Sequence, residues 1–321
     1  PSGSPRRKAG NKHTGKQEPS GRETAKYRNN VKKLRNAGNF VGATCIFIRY
    51  ICNSKISPGN ERNHHDHTTH VDPRRPRHPL DALSQGLRCA WCHNPETWSK
   101  HRQLQYIASK CIRCGTCIAA CDQKALRAGE RLVIDRADCN RCGKCTEVCP
   151  TGAMSWIGRE VSADEAVREL SADKIFFRTS GGGVTLSGGE PLLQAGFARE
   201  VLGGCLAQGI HTAVESNLTE NWDVVETFLP LVKLWMCDLK LADPELHRRW
   251  TGQGNGRIIS NLRQLADKGV PIIVRTPVVP GVNDTAEAID ALCRIISGLG
   301  GNVAYELLGF HPLGFGKFDD L

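Results

Sequence analysis

Two runs of four cysteines constrain this chain more than any other feature: Cys111, Cys114, Cys117 and Cys121, then Cys139, Cys142, Cys145 and Cys149. Both are spaced C-x2-C-x2-C-x3-C, and the second ends in Cys149-Pro150. At this spacing three thiolates from one tight loop wrap a [4Fe–4S] cube, and the fourth reaches across to a second cube. The pattern assigns Cys111, Cys114, Cys117 and Cys149 to one cluster, and Cys139, Cys142, Cys145 and Cys121 to the other. A zinc module needs four ligands per ion and does not account for C-x2-C-x2-C twice. Runs this tight are also a ligand pattern rather than a disulfide framework. Cluster thiolates need a reducing compartment, which predicts a cytoplasmic protein. A two-cluster module moves single electrons and catalyses nothing alone, so it must serve something else in the chain.

Basic charge sits at one end. Residues 1–88 hold 18 of the 43 Lys and Arg residues but 6 of the 33 Asp and Glu residues, leaving 25 against 27 for the remainder. The stretch PSGSPRRKAGNKHTGKQEPSGRETAKYRNN is polar, basic and without apolar periodicity, so residues 1–84 are expected to be disordered. His64, His65, His67 and His70 form a histidine-rich tract, but a flexible polar setting makes a poor metal site. A basic arm can grip phosphates; with no aromatic residues interleaved, a nucleic-acid partner is not expected. No membrane association is expected either. The most apolar run, FVGATCIFIRYIC, is broken by Arg49 and falls short of the roughly 20 residues that a span needs. No secretory signal peptide is recognisable.

From Val184 onward, short apolar runs alternate with amphipathic stretches. VTLS, HTAV, LWMCDLK, PIIVRTPVV and AYELLGF read as buried strands. PLLQAGFAREVLGGCLAQG, GRIISNLRQLADKG and DTAEAIDALCRIISGLG read as helices. The alternation predicts an α/β fold with a parallel sheet or partial (β/α) barrel. In such folds ligands collect at the carboxyl ends of the strands, where SGGE, ES, DLK and an arginine fall here. Cys205, Cys237 and Cys293 sit in helix or strand contexts and read as small apolar core residues.

Taken in order, LRCAWCHNPE (87–96), TSGGGVTLSGGEPLLQ (179–194), CDLK (237–240), RTPVVPGVND (275–284) and GFHPLG (309–314) resemble the activating enzymes of glycyl radical enzymes. These belong to the radical S-adenosylmethionine superfamily. The likeness spans about residues 85–321 and, with its eight-cysteine insert, points to the larger subgroup acting on dehydratases, decarboxylases and C–N or C–S lyases. It implies a cluster loop at 85–101, a ferredoxin-type α+β insert with two [4Fe–4S] clusters at 102–154, and a partial barrel of radical SAM type at 155–321. It implies three [4Fe–4S] clusters in all, S-adenosylmethionine and a monovalent cation. The expected partners are a glycyl radical enzyme as protein substrate and a flavodoxin- or ferredoxin-type electron donor. Cys89 and Cys92 would ligate the third cluster. Gly188, Gly189 and Glu190 would meet the methionyl amine, with Trp91, Asn94, Arg275 and His311 around the cofactor. Asp238 and Lys240 alternate on one strand and share a face; with His311 they are the expected catalytic residues. Glu215 and Ser216 match a position usually written Asp-Thr, beside a cation that Asp238 and the Met236 carbonyl would also touch.

One ligand is missing. The family writes Q-G-C-P-L-R-C-x-W-C, whereas this chain runs Gln85-Gly86-Leu87-Arg88-Cys89-Ala90-Trp91-Cys92, as if Cys-Pro had been excised. The position four before Cys89 is Gln85, and the family's D-G-P-G-x-R-T turn is replaced by VDPRRPRHPL. A frame slip closed near Gln85 accounts for both losses and would make residues 1–84 largely non-native text; the alternative is a divergent start with Cys45 or Cys52 as third ligand. The family normally continues beyond FGKFDDL, so a C-terminal truncation is expected. Two functions follow: an activating enzyme impaired by the lost cysteine, or an iron–sulfur electron-transfer protein whose radical site has lapsed.

Overall fold

The computed structural model describes residues 86–99, 101–311 and 317–318. All of these belong to one compact unit, residues 42–321; the other unit, residues 1–41, lies outside the described residues. So do the expected disorder of residues 1–84, the histidine tract, Cys45, Cys52 and Gln85.

The eight clustered cysteines lie between two strands that close on each other. Strand β1 (Gln103–Tyr106) pairs antiparallel with β4 (Met154–Ile157), with Gln103 opposite Ile157 and Tyr106 opposite Met154. Between them a short ladder joins β2 (Leu126–Arg127) to β3 (Val133–Ile134), and single-turn helices α1 (Thr116–Ala119) and α2 (Lys144–Glu147) start within the cysteine runs. The two runs follow the same backbone path. Arg113 and Arg141 both have φ near +57°, and the glycines two residues on, Gly115 and Gly143, have φ of +75° and +86°. Such left-handed turns gather backbone N–H groups around an anionic centre. Trp156 packs so closely on Gly143 that a Cβ there would lie 2.9 Å from its ring. A small core of Leu104, Tyr106, Leu126 and Met154 holds the module together around the cysteines.

The second part is a five-stranded, all-parallel sheet whose strands follow chain order: β5 (Gly183–Leu186), β6 (His211–Ser216), β7 (Leu234–Asp238), β8 (Ile272–Val278) and β9 (Val303–Gly309). Parallel sheets must be covered, which is why these strands read as continuous apolar runs. Helices α3 (Ala163–Ser171) and α4 (Lys174–Ser180) precede the sheet, and α5 (Ala195–Ala207), α6 (Trp222–Glu226), α7 (Pro244–Thr251), α8 (Gly256–Asp267) and α9 (Ala286–Ser297) alternate with its strands. Several start where a side chain accepts an otherwise unpaired backbone N–H: Ser162 from Glu165, Asp243 from Leu246 and Thr285 from Ala288. Leu202, Phe228, Trp235 and Leu262 anchor the core, and Cys205 and Cys237 are fully buried in it, as small apolar residues should be. The register sets Glu215 beside Met236, and then Asp238, Arg275 and Glu306 side by side on β7, β8 and β9. A row of charged residues thus marks the carboxyl end of the sheet.

Candidate functional site

A cavity of about 510 Å³ opens at that carboxyl end. Its walls are Ser187, Gly188, Gly189 and Glu190 after β5, Glu215 and Asn217 from β6, Asp238 and Lys240 from β7, Arg275 from β8, and Gly309 to His311 after β9. The loop carrying Cys89, Trp91, Cys92, His93 and Asn94 closes the remaining side. Every residue expected at the pocket lines it except Ser216. That side chain is buried behind the wall, where its hydroxyl donates to Glu190 Oε1 at 2.8 Å and accepts from the Leu218 N–H at 3.0 Å.

Glu190 is the best-supported polar group here. Its Oε1 also accepts from the Leu192 N–H at 3.1 Å, and its Oε2 from the Asn217 N–H at 2.7 Å. Burial nevertheless pushes its carboxyl up to about 7, because removal from water penalises the anion more than three donors relieve it. Gly189 passes so close to Thr97 that a Cβ would fall 2.8 Å from that side chain. The glycine lets the strip lie flat against the cysteine loop, and the Asn94 amide donates to the Gly188 carbonyl at 2.9 Å.

The cysteine loop is tied down by α7 and the residues just after it. Arg88 N–H donates to Thr251 O at 2.7 Å, Ala90 N–H to Trp250 O at 3.0 Å, and the Gln253 amide to Gly86 O at 3.2 Å. Trp91 packs on Trp250 with ring centroids 6.3 Å apart. Burial pushes the Cys89 thiol up to about 11 and the Cys92 thiol up to about 12, with Lys240 opposing both shifts. Lys240 donates to Asp238 Oδ2 at 2.8 Å. Burial alone would lower its ammonium, but Asp238 and the two cysteines outweigh that and hold it raised. A fixed cation beside two thiols is what a thiolate-held cluster needs.

Arg275 bridges two carboxylates, donating from Nη1 to Glu215 Oε1 at 3.0 Å and from Nε to Glu306 Oε2 at 2.9 Å. Ser187 donates to Glu215 Oε2 at 2.5 Å. His311 is exposed; its carbonyl accepts from His93 Nε2 at 2.6 Å. Sequence reading did not single out Asn217, Glu306 or Thr97, because none carries a spacing signal and each touches a residue that does.

In the cysteine module, charge interactions link Cys117 with Cys149 and Cys111, Cys114 with Cys149, and Cys145 with Cys139 and Cys142. Cys145 also interacts with Cys117, so members of the two runs lie near one another. The Thr116 hydroxyl, donating to Cys114 Sγ at 3.3 Å, lowers that thiol. Among the described residues no group of three or more His, Cys, Asp or Glu side chains is close enough to hold a single metal ion.

A family model for the radical SAM superfamily matches residues 86–293. The (2S)-3-sulfopropanediol dehydratase activating enzyme of Klebsiella oxytoca is 38% identical, over 73% of this chain and 77% of its own. The isethionate sulfite-lyase activating enzyme of Oleidesulfovibrio alaskensis is 41% identical over 72% and 77%, and the benzylsuccinate synthase activating enzyme of Thauera aromatica 39% over 72% and 72%. A solved domain of a pyruvate-formate lyase-activating enzyme from Bacteroides vulgatus is 33% identical, with a TM-score of 0.39 over 41% of this chain and 82% of that one.

Proposed function

Since the chain belongs to the radical SAM superfamily, among the activating enzymes of glycyl radical enzymes, we propose that its cavity binds S-adenosylmethionine beside the cysteine loop and serves a glycyl radical enzyme as protein substrate. The observation that carries the reading is the convergence of Glu190, Asp238, Lys240 and Arg275 with Cys89 and Cys92 on one cavity at the carboxyl end of the sheet. A [4Fe–4S] cluster held at Cys89 and Cys92 would supply the one-electron reduction of the sulfonium that such chemistry needs, with a glycine of the partner as the intended hydrogen donor.

The residues fit the methionyl end well. Glu190 is an immobilised acceptor for an ammonium, and the flat glycine strip allows close approach of a ligand backbone. Arg275 and Lys240 supply the cationic side for a carboxylate. The fit to a third cluster is incomplete: the described residues offer the thiols of Cys89 and Cys92, and the position four before Cys89 is Gln85. In the module at 102–154, the nearness of the two runs supports two cross-ligated cubes that relay electrons from a flavodoxin- or ferredoxin-type donor. A monovalent cation at Glu215 is the least supported part, because Arg275 and Ser187 already engage both its oxygens. No helix among the described residues is long and apolar enough to cross a membrane; the thiolate clusters favour the cytoplasm.

The two-thiol loop also favours a second reading, an electron-transfer protein with a lapsed radical site. Anaerobic reconstitution before and after repair of the loop separates the two, three cubes corresponding to about twelve irons per chain and two to about eight. The chain as written is expected to hold about eight and to form little 5′-deoxyadenosine. Reinserting Cys-Pro between Gly86 and Leu87 should add about one cube and restore cleavage, and Cys89→Ala in the repaired chain should abolish it. Cleavage by the unrepaired chain at the repaired rate would overturn the assignment of the lost ligand.

A further inference from the structure

Lys317 lies just beyond GFHPLG (309–314), outside every motif, yet it reaches the centre of the cysteine loop. Its ammonium donates to Glu96 Oε1 at 2.7 Å and to Asn94 Oδ1 at 3.0 Å. The Glu96 side chain is 4% exposed, and its second oxygen, Oε2, is buried with no hydrogen-bond partner. Lys317 is the one cation that the described ion pairs give this carboxylate. Asn94, held by Lys317 at its oxygen, donates from its amide nitrogen to the Gly188 carbonyl. The neighbouring Phe318 packs edge-on against Trp98 at 5.5 Å.

We propose that Lys317 is a positioning residue of the site: through Glu96 it seats the cysteine loop, and through Asn94 it fixes the Gly188 carbonyl and hence the strip that ends in Glu190. Three features support this over a surface ion pair. The lysine side chain is itself only 18% exposed. A half-bonded buried carboxylate depends on its cation far more than an exposed one does. The Asn94 amide can be oriented in only one way, because Lys317 donates to its oxygen while Gly188 accepts from its nitrogen. The proposal deepens the S-adenosylmethionine reading of the cavity and rests on it only for the identity of the ligand.

Hydrogen exchange of the full chain tests the positioning directly, without any cofactor. Lys317→Met should speed amide exchange by about tenfold or more in the segments 93–98 and 187–190, the loss of one charge-assisted bond, while β7, β8 and the cysteine module keep wild-type protection. Lys317→Arg should restore most of the protection, and Lys317→Met with Glu96→Gln should be less perturbed at 93–98 than Lys317→Met alone. Wild-type exchange at 187–190 in Lys317→Met, or a uniform change across the molecule, would overturn the proposal. S-adenosylmethionine affinity measured in parallel should fall with Lys317→Met and with Glu190→Gln. If Glu190→Gln binds as wild type, the reading of the cavity fails, while the exchange result still decides the role of Lys317.

Discussion

Glu190 illustrates how one side chain turns burial into function. Its folded carboxyl titrates near 7, above the ordinary value of 4.5, so the folded state holds its proton more tightly than the unfolded chain. This contribution to stability is fully present at low pH and is lost between about 4.5 and 7, at a cost of roughly 3 kcal/mol. Binding a ligand ammonium has the opposite sign, because it needs the carboxylate. Affinity for S-adenosylmethionine should therefore rise with pH as the carboxylate forms near 7, until the ligand's own α-ammonium begins to lose its proton near about 8. Titration calorimetry from pH 6 to 8 would read this slope, and Glu190→Gln should flatten it. The glycines and the carboxylate were legible in the sequence because their order is distinctive. Ser216 shows the limit of such reading: its position matched a ligand-binding pattern, but the strand turns it behind the wall to brace Glu190.

At the scale of elements, the two cysteine turns offer a paired experiment, since Gly115 and Gly143 occupy equivalent positions with left-handed φ. An alanine at Gly115 meets nothing within 4 Å and should cost only the backbone penalty, about 1 kcal/mol. At Gly143 the added methyl would strike Trp156, which Arg102 covers at 4.5 Å, so Gly143→Ala should cost about 1–3 kcal/mol more. Thermal melting would rank the two, and loss of cluster absorbance in Gly143→Ala alone would localise the damage. The five strands were readable because a covered parallel sheet demands continuous apolar runs. Helices α5, α8 and α9 were readable because each lays an apolar face on that sheet. Helices α6 and α7 were not anticipated. The first is a short WDVVE, and the second, PELHRRWT, carries mostly polar residues around His247, Trp250 and Thr251. Yet α7 is the element that holds the cysteine loop, and nothing in its own periodicity says so.

Across the whole molecule, parts distant in the chain build one cavity, whereas the cysteine module closes within itself from Gln103 to Ile157. That difference has a consequence for the order of synthesis. The module can fold as soon as its own residues have emerged, but the loop of Cys89 and Cys92 waits for Trp250 and Thr251. At 5–20 residues per second, the interval is on the order of 8–30 s. Ribosome-bound chains halted before α7 emerges should already take up iron in the module, while Cys89 and Cys92 still react with maleimide; protection of those two thiols at that stage would contradict the order. Among the ten thiols of the cysteine loop and module, the two translated first are thus the last to be sheltered, and during that interval they stand open to oxygen.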